Sequence, residues 1–553
     1  MARRGRVVRT ALPLAALLAA LLAGFVAPVR ATGAQQPGVD ALRYRFHLDL
    51  PARGADLDVT ATVVFTRARA VDALRLDLLA PMRVRSAEVG CERPRAVRAA
   101  HDGRVVTLPL PPARSDGELL CATVRYTGAP RDGLIVSTDS AGRWMAFGDN
   151  WPDRARHWLA SIDHPSDKAQ VEFVVDAPAS RRVIANGSER GRAVLFGGRH
   201  RTTWMLDEPI PTYLMVIAAA PLVEHDLGAT ACGLAAAGGC VPQAVLTAPE
   251  QAAAMPGAFA RADDIVSYFA RTVGAFPYPQ LLHLQSSTRF GGMENAGAIF
   301  YADRLFRTSA GVGAGLIAHE TAHQWFGDAV TEADWPHVWL SEGFATYFAA
   351  LYAAHAEGDS AFRAELTAMR DAVRRSAVTA TRPVLDTAQT DLLQLLNSNS
   401  YQKGGFVLHM LRQEVGDAGF FAAVRAYHAA HRHGTARTAD LRAAMEREAG
   451  RDLGWFFDQW LTRPGLVEGT VRWRYDAEAQ ALAVTVTQDG RYPPYRFPLT
   501  LGVRLADGTT RHVTVRIPPE REATVRADLH LSRPPAAVTA DPGTDLLHAL
   551  RTP

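Results

Sequence analysis

The sequence predicts an α+β multidomain fold, because its apolar residues repeat with different periods along the 553 residues. From Leu42 to about Val223, apolar and polar side chains alternate with the period of two that is typical of β-strands. Helical periodicity begins near Pro249 and continues to Leu461, and alternating runs return after it. We therefore expect an N-terminal antiparallel β domain, a mainly helical domain and a small C-terminal β-sandwich. The predicted domains span residues 40–245, 246–465 and 466–553.

The composition is that of a globular chain, with 48% hydrophobic and 21% charged residues. A net charge of +3 predicts no role in nucleic-acid binding. Nearly all basic residues are arginine, and lysine occurs only at Lys168 and Lys403. We expect these two positions to need a compact ammonium that the planar guanidinium of arginine cannot replace. Chance retention of two lysines is the alternative.

The N-terminal segment, residues 1–34, has the features of an export signal. Arginines near its start precede an apolar run from Ala11 to Val29, and small residues follow. This order is typical of a secretory signal peptide. An uncleaved membrane anchor is the alternative, because the run is long enough to cross a bilayer. In either case we expect the remaining chain to be exported, as a periplasmic or extracellular protein, and a membrane partner only if the segment is uncleaved.

The first strands show the alternation most clearly. Apolar side chains take every second position from Tyr44 to Leu50 and again from Leu57 to Phe65. This pattern predicts strands with one buried face. Further along, Asp163 and His164 are residue types that bind metals, but we expect them to form a solvated or salt-bridged turn.

Four cysteines in an exported chain predict two disulfide bonds. Local pairing, Cys91 with Cys121 and Cys232 with Cys240, is the simplest of the three possible connectivities. A zinc site made of cysteines is not expected, because the sequence contains no C-x-x-C pair.

The central region reads as helices around one strand. Leu281 to Gln285 can form a strand, and the glycine-rich run from Gly311 to Gly315 leads into a helix and is not a phosphate loop, because no Gly-Lys-Ser/Thr follows. The predicted helices span residues 263–272, 361–375, 406–414 and 440–448. The strands predicted for the C-terminal domain span residues 471–475, 482–486, 499–505 and 511–517.

The chemistry centres on His319-Glu320-Thr321-Ala322-His323. On a helix, His319 and His323 lie one turn apart on the same face, so both imidazoles can bind one metal ion. Glu320 then points beside them at a metal-bound water, where a carboxylate can act as a general base. This pattern predicts a hydrolytic zinc site.

A third protein ligand is needed, and Glu342 is the strongest candidate. It follows in an apolar and aromatic stretch with the composition of a buried helix, where a carboxylate has no apolar use. Two histidines and one glutamate leave one zinc position open for water, as in catalytic zinc sites. The competing candidates lie in the polar connection between the two motifs. They are Asp328, Glu332, Asp334 and His337.

Four motifs in order resemble those of the aminopeptidase N family of gluzincin metallopeptidases, which also contains leukotriene hydrolase. The first three are Gly291-Gly292-Met293-Glu294-Asn295, the zinc-binding helix and the stretch from Trp339 to Gly343, where Ser341 replaces the family's asparagine. Downstream, Tyr401-Gln402-Lys403-Gly404 resembles the family's Tyr-x-Lys-Gly. The resemblance implies a saddle-shaped N-terminal sheet and a thermolysin-like catalytic domain.

The resemblance also implies roles for single residues. Glu294 would hold the α-ammonium of a peptide substrate with a free N-terminus, and Tyr401 would donate a hydrogen bond to the oxyanion. The other substrate-binding positions are Gly291, Gly292, Met293 and Asn295. We expect one Zn²⁺ ion, a monomer, and an enzyme that hydrolyses N-terminal peptide bonds. The alternatives are an epoxide or ester hydrolase on the same fold and a non-catalytic peptide-binding protein.

Overall fold

The structure is a computed structural model, which describes residues 36–139, 141–236, 238–307 and 311–552. The N-terminal segment in which we predict a signal peptide or anchor lies outside the described residues. Within the described ranges, no helix combines the length and the hydropathy that a bilayer crossing requires.

The N-terminal region is built from fifteen strands in three sheets within the described residues. The largest is an eight-stranded sheet in the order β13-β14-β11-β1-β2-β8-β4-β5. The strands are β1 (Val39–Asp49), β2 (Leu57–Arg67), β3 (Ala73–Asp77), β4 (Arg83–Val89), β5 (Arg95–Val97), β6 (Ala100–His101), β7 (Val105–Pro109), β8 (Glu118–Gly128), β9 (Leu134–Thr138), β10 (Trp144–Gly148), β11 (Lys168–Pro178), β12 (Arg182–Ala185), β13 (Ser188–Leu195), β14 (Arg199–Pro211) and β15 (Ile217–Ala220).

The predicted alternation is confirmed, since Tyr44, Phe46, Leu48 and Leu50 are buried in the core of this region. Pairing in the eight-stranded sheet is antiparallel except between β1 and β11, which run parallel. The eight-stranded sheet is therefore antiparallel apart from one parallel pair of strands. Parallel neighbours need a long connection, and here residues 50–167 supply it through the intervening strands.

Both disulfide bonds form with the local pairing, Cys91 with Cys121 and Cys232 with Cys240. Cys121 lies on β8 and Cys91 follows its neighbour β4, so the first bond ties two adjacent strands together. The second bond, between Cys232 and Cys240, lies in the connection between a strand that ends at Thr230 and a strand that begins at Val241. It links the two ends of that connection.

The catalytic region begins with a five-stranded sheet in the order β16-β17-β18-β20-β19. Its strands are β16 (Val223–Thr230), β17 (Val241–Thr247), β18 (Leu281–Ser286), β19 (Gly292–Met293) and β20 (Ala298–Ala302). The domain border predicted between residues 245 and 246 falls inside β17, which pairs in parallel with β18. That pairing makes β16 and β17 part of the same sheet as β18, β19 and β20.

The helices follow this sheet, and the four predicted ones are present with slightly wider bounds. They are α1 (Met255–Ala258), α2 (Ala262–Thr272), α3 (Asp303–Phe306), α4 (Ala314–His323), α5 (Trp339–Glu357), α6 (Asp359–Arg375), α7 (Ala377–Thr381), α8 (Gly404–Val415), α9 (Asp417–His431), α10 (Thr438–Ala449) and α11 (Gly454–Leu461). Shorter elements are the 3-10 helices Ala155–His157, Thr212–Leu214, Pro249–Ala254, Trp335–His337 and Leu392–Leu395, the π-helical turn Asn399–Lys403, and the paired strands β21 (Val330–Glu332) and β22 (Gly434–Ala436).

The C-terminal region has two sheets, of four and three strands, in the orders β27-β24-β23-β29 and β26-β25-β28. Buried residues from both sheets, such as Val484 and Leu501, belong to one apolar core. The predicted sandwich is therefore confirmed. Its strands are β23 (Val467–Asp476), β24 (Ala481–Gln488), β25 (Phe497–Arg504), β26 (Thr510–Ile517), β27 (Glu522–Asp528), β28 (Ala537–Ala540) and β29 (His548–Arg551).

Candidate metal centre and active site

Two packed helices carry the candidate metal ligands. Helix α4 buries Ile317 and Ala318 in the core and ends at His323, so its second half presents His319 and His323 on one face. Helix α5 is buried over most of its length and packs against α4. Glu342 lies in its first turn. The burial of both helices therefore fixes where these three side chains meet.

The three side chains converge on one point. The Nε2 atoms of His319 and His323 are 3.1 Å apart, and each lies 3.4 Å from Oε2 of Glu342. The Nδ1 atom of His323 contacts the carbonyl oxygen of Phe326 at 3.1 Å and Oγ of Ser341 at 2.9 Å. A hydrogen on Nδ1 leaves the lone pair of Nε2 directed at the other two ligands, which is how partners of metal-binding histidines orient the ring.

The donor set fits a zinc ion. Oε2 of Glu342 is buried and has no hydrogen-bond partner among the described residues. Burial alone would raise the pKa of Glu342, but the neighbouring imidazoles of His319 and His323 lower it to about 2. A charged, buried and unpartnered carboxylate oxygen beside two imidazoles is costly unless a cation joins them. Two nitrogens and one carboxylate oxygen are the usual protein ligands of catalytic zinc.

The other carboxylates and the histidine that we considered as third ligands lie elsewhere. Asp328 accepts a hydrogen bond from Gln324, and Asp334 accepts one from the backbone N–H of Trp335. His337 contacts Oγ1 of Thr438. Glu332 is buried in the same connection. In the described part of the chain, Glu342 is the carboxylate that groups with His319 and His323.

A second group of carboxylates lies against the same centre. The carboxylates of Glu294 and Glu320 and a ring nitrogen of His323 lie within 4.8 Å of one another. Both glutamates are buried, and burial raises the pKa of each above its usual value. Neither carboxylate has an ion-pair partner on a lysine or arginine within the described residues. A second positive charge, besides that of a metal ion, would therefore be stabilised by these two carboxylates.

The close approach of β19 to α4 depends on a glycine. A Cβ atom placed on Gly292 would lie 2.1 Å from Oε1 of Glu320, which is far inside van der Waals contact. Among the described residues, the same addition at Gly291 meets only Cδ2 of Leu316, at 3.9 Å. The sheet edge can therefore lie against Glu320 only because residue 292 has no side chain.

Tyr401 enters from the π-helical turn before α8. Its hydroxyl donates to Oε1 of Glu342 at 2.8 Å, and its ring stacks on His319 with 5.9 Å between centroids. Burial and the neighbouring Glu342 carboxylate raise the pKa of Tyr401 well above its usual value. The phenol therefore stays protonated at neutral pH and remains a hydrogen-bond donor beside the metal ligands.

These residues line one cavity of about 820 Å³. Gly291, Gly292, Met293 and Glu294 form part of its wall. Asn295 is not among the lining residues, and both polar atoms of its amide are buried without a partner in the described part of the chain. Sequence reasoning missed the apolar part of the wall. It includes Trp151, Phe290, Leu396, Met369 and the alanines Ala361, Ala364, Ala368 and Ala372 of α6.

Trp151 reaches the cavity from the N-terminal region. Its ring makes edge contacts with Phe290 at 6.1 Å and Trp335 at 5.6 Å between centroids. In the sequence, Trp151 stands before a proline in a polar connection. The residues around it did not indicate that its ring faces the metal-binding residues.

The other residues that the sequence analysis singled out have structural roles. Asp163 accepts hydrogen bonds from Arg156 and Thr212, so the predicted salt-bridged turn is confirmed. The Nζ atom of Lys168 donates to the carbonyl oxygens of residues 328, 329 and 434, at 2.9, 3.0 and 3.0 Å. Nζ of Lys403 donates to the carbonyl oxygen of Arg463 at 3.1 Å. Three convergent carbonyls suit a compact ammonium better than a planar guanidinium.

Comparison with known proteins gives consistent results. Residues 261–460 match the Peptidase family M1 domain and residues 66–214 match the Peptidase M1 N-terminal domain. Aminopeptidase N of Streptomyces lividans is 31% identical over 57% of this chain and 37% of its own length. Glutamyl aminopeptidase of Rattus norvegicus is 25% identical over 75% of this chain and 46% of its own. The chain thus spans less than half the length of these relatives.

Solved structures share the fold. Aminopeptidase A of Legionella pneumophila, in complex with aspartic acid, superposes with a TM-score of 0.81 at 16% identity, over 94% of this chain and 60% of that one. An M1 zinc metallopeptidase of Deinococcus radiodurans, bound to a Tyr-Ser-Ala substrate, gives a TM-score of 0.69 at 25% identity, over 78% and 96%. With both M1 domains matched in order around the His-His-Glu centre, the chain belongs to the M1 family of zinc metallopeptidases, the aminopeptidase N family of gluzincins.

Proposed function

We propose that the protein is a zinc aminopeptidase that removes the N-terminal residue from peptides. The observation that carries this proposal is the position of Glu294. Its carboxylate is buried in the cavity wall, close to Glu320 and His323, and no lysine or arginine pairs with it in the described residues. A cationic group of the substrate would offset the cost of that burial, and a peptide carries one at its N-terminus.

The remaining residues supply the chemistry of peptide-bond hydrolysis. Zinc, when bound by His319, His323 and Glu342, would polarise the scissile carbonyl and lower the pKa of a water molecule towards about 7. Glu320 would accept the proton of the attacking water and pass it to the leaving amine, because its carboxylate lies within 4.8 Å of a ring nitrogen of His323 and outside the group formed by His319, His323 and Glu342. The hydroxyl of Tyr401, which donates to Glu342 in the structure, would turn its one hydrogen to the oxygen that becomes negative in the transition state.

The position of Glu294 supports cleavage at the first peptide bond. An α-ammonium bound to Glu294 would bring that bond next to Glu320 and the metal ligands. The cavity wall around Trp151 and Met369 is apolar and would contact side chains of the bound peptide. The relatives named above are aminopeptidases, which supports the same assignment.

We further propose that the protein works outside the cytoplasm. Both disulfide bonds support this location, because disulfides persist in oxidising compartments. The signal or anchor that we predict in residues 1–34 would direct the export.

A panel of aminoacyl-coumarin substrates tests the activity. We expect release of coumarin that a chelator abolishes and that one equivalent of Zn²⁺ restores. An epoxide or ester hydrolase on this fold would instead hydrolyse a lipid epoxide and would release no coumarin from the panel. Zinc binding without turnover of either substrate would indicate a peptide-binding protein and refute the proposal.

A further inference from the structure

Gln324 is the side chain that joins the end of the zinc-binding helix to the turn that carries Glu294. Its Nε2 donates to the carbonyl oxygen of Glu294 at 2.8 Å, and its Oε1 accepts from the backbone N–H of Gly297 at 2.8 Å. The two bonds hold both ends of the turn between β19 and β20. Gln324 directly follows His323, so its two hydrogen bonds connect the metal-binding end of α4 to the turn that carries Glu294.

The Gln324 amide is itself held in one orientation. Its second Nε2 hydrogen goes to Oδ2 of Asp328 at 2.9 Å, and the side chain is fully buried. The carbonyl oxygen of Asp328 in turn accepts from Nζ of Lys168. Because all donors and the acceptor of the amide are occupied, the side chain cannot rotate without breaking buried hydrogen bonds, which is costly.

We propose that Gln324 is the positioning residue that sets the distance between the Glu294 carboxylate and the metal centre, and thereby the preference for a free N-terminal amine. The inference rests on the proposed function, since it concerns how Glu294 recognises the α-ammonium. Gln324 does not line the cavity and acts only through the turn.

The turn has further hydrogen bonds besides those of Gln324. Nδ2 of Asn186, from the N-terminal region, donates to the carbonyl oxygen of Ala296 at 3.0 Å, and the N–H of Ala298 donates to the carbonyl oxygen of Asn295 at 2.8 Å. Removing the Gln324 bonds should therefore leave the turn formed but loosen its position relative to α4. A misplacement near 1 Å at a reacting centre can cost about 100-fold in rate.

The test is Gln324→Met, which keeps the length of the side chain and removes its hydrogen bonds. Gln459→Met is the matched control, because Gln459 is also buried and its amide likewise bonds one backbone carbonyl and one backbone N–H, here both of Arg496 and away from the cavity. Each variant is assayed with a free and an N-acetylated peptide of the same sequence. Zinc content and the melting temperature are measured alongside.

We expect Gln324→Met to lower the ratio of kcat/KM between free and acetylated peptide by about 10-fold or more, with KM for the free peptide rising more than kcat falls. Zinc content should stay near one equivalent. Gln459→Met should leave the ratio unchanged although it too loses stability. If Gln324→Met does not fold, Gln324→Glu, which keeps the acceptor for Gly297 but loses both donors, should lower the ratio in the same direction.

An unchanged ratio in a folded, zinc-loaded Gln324 variant would overturn this inference, and so would an equal fall in the Gln459→Met control. Failure of the proposed function gives a different result, because the wild-type protein would then cleave free and acetylated peptides alike.

Discussion

Gly292→Ala is the substitution whose effect can be worked out most directly from the structure. The added Cβ would lie 2.1, 2.2 and 2.5 Å from Oε1, Cδ and Cγ of Glu320. Ordinary contact begins at 3.4 Å, so either Glu320 or strand β19 must move by about 1.3 Å, the difference between 3.4 and 2.1 Å. Residue 292 has no positive φ, so the backbone conformation itself tolerates alanine.

A shift of this size acts on the general base and not on the metal ligands. Displacing a reacting group by about 1 Å costs on the order of 100-fold in rate. We therefore expect kcat for an aminoacyl-coumarin substrate to fall by about 100-fold in Gly292→Ala, with zinc content unchanged. Steady-state kinetics and elemental analysis of the same preparation measure both quantities.

Gly291→Ala is the control next to it in the chain. Within the part of the chain that the structure describes, its Cβ would meet only Cδ2 of Leu316, at 3.9 Å, so the variant should keep most of its activity. If Gly292→Ala retained wild-type kcat, or if the two variants lost activity equally, Glu320 would not be held against β19 and its assignment as the base would lose its structural support.

Three further predictions concern single side chains. Glu320→Gln should keep its zinc and lose about 10²–10⁴ in kcat, because it lacks only the base; zinc loss in elemental analysis would contradict the assignment. Tyr401→Phe should lower kcat by roughly 10²–10³ with little change in KM, as for an oxyanion donor, and an unchanged kcat would leave it a packing residue. Burial lowers the pKa of Lys403 to about 7, against about 10.4 in an unfolded chain. Between these values the unfolded chain binds more protons, so the free energy of unfolding rises with pH from about 7 to 10. Urea denaturation should show that Lys403→Met removes the increase in the free energy of unfolding that this lysine causes. An unchanged pH dependence would mean that Lys403 stays protonated when buried.

Much of the site could be predicted because its chemistry is local in sequence. The spacing of His319 and His323 fixes their shared helix face, and Glu342 was recognisable because a carboxylate in an apolar helix needs a partner. The strand alternation likewise predicted which face of β1 is buried. These features depend on a few neighbouring residues, so a single sequence contains them.

The features that could not be predicted depend on contacts between distant segments. Trp151 reaches the cavity because the N-terminal region packs beside Phe290, and no periodic pattern in the sequence predicts that packing. The parallel pairing of β17 with β18 joins segments on both sides of the predicted border, and neither strand alone indicates its partner. Gln324 looked like an ordinary residue after the metal motif, and its role follows only from the turn that it bonds.

Recognition of the free amine is the central claim, and matched peptides with free and N-acetylated termini test it most directly. Acetylation removes the α-ammonium charge and leaves Glu294 buried without a partner, and losing one member of such a buried pair costs roughly 3–5 kcal/mol. We expect wild-type protein to release the first residue of the free peptide and to leave the acetylated one essentially uncut, and Glu294→Ala to narrow that difference by losing activity on the free peptide. Comparable cleavage of both peptides by the wild type, or cuts inside a longer chain, would contradict the account.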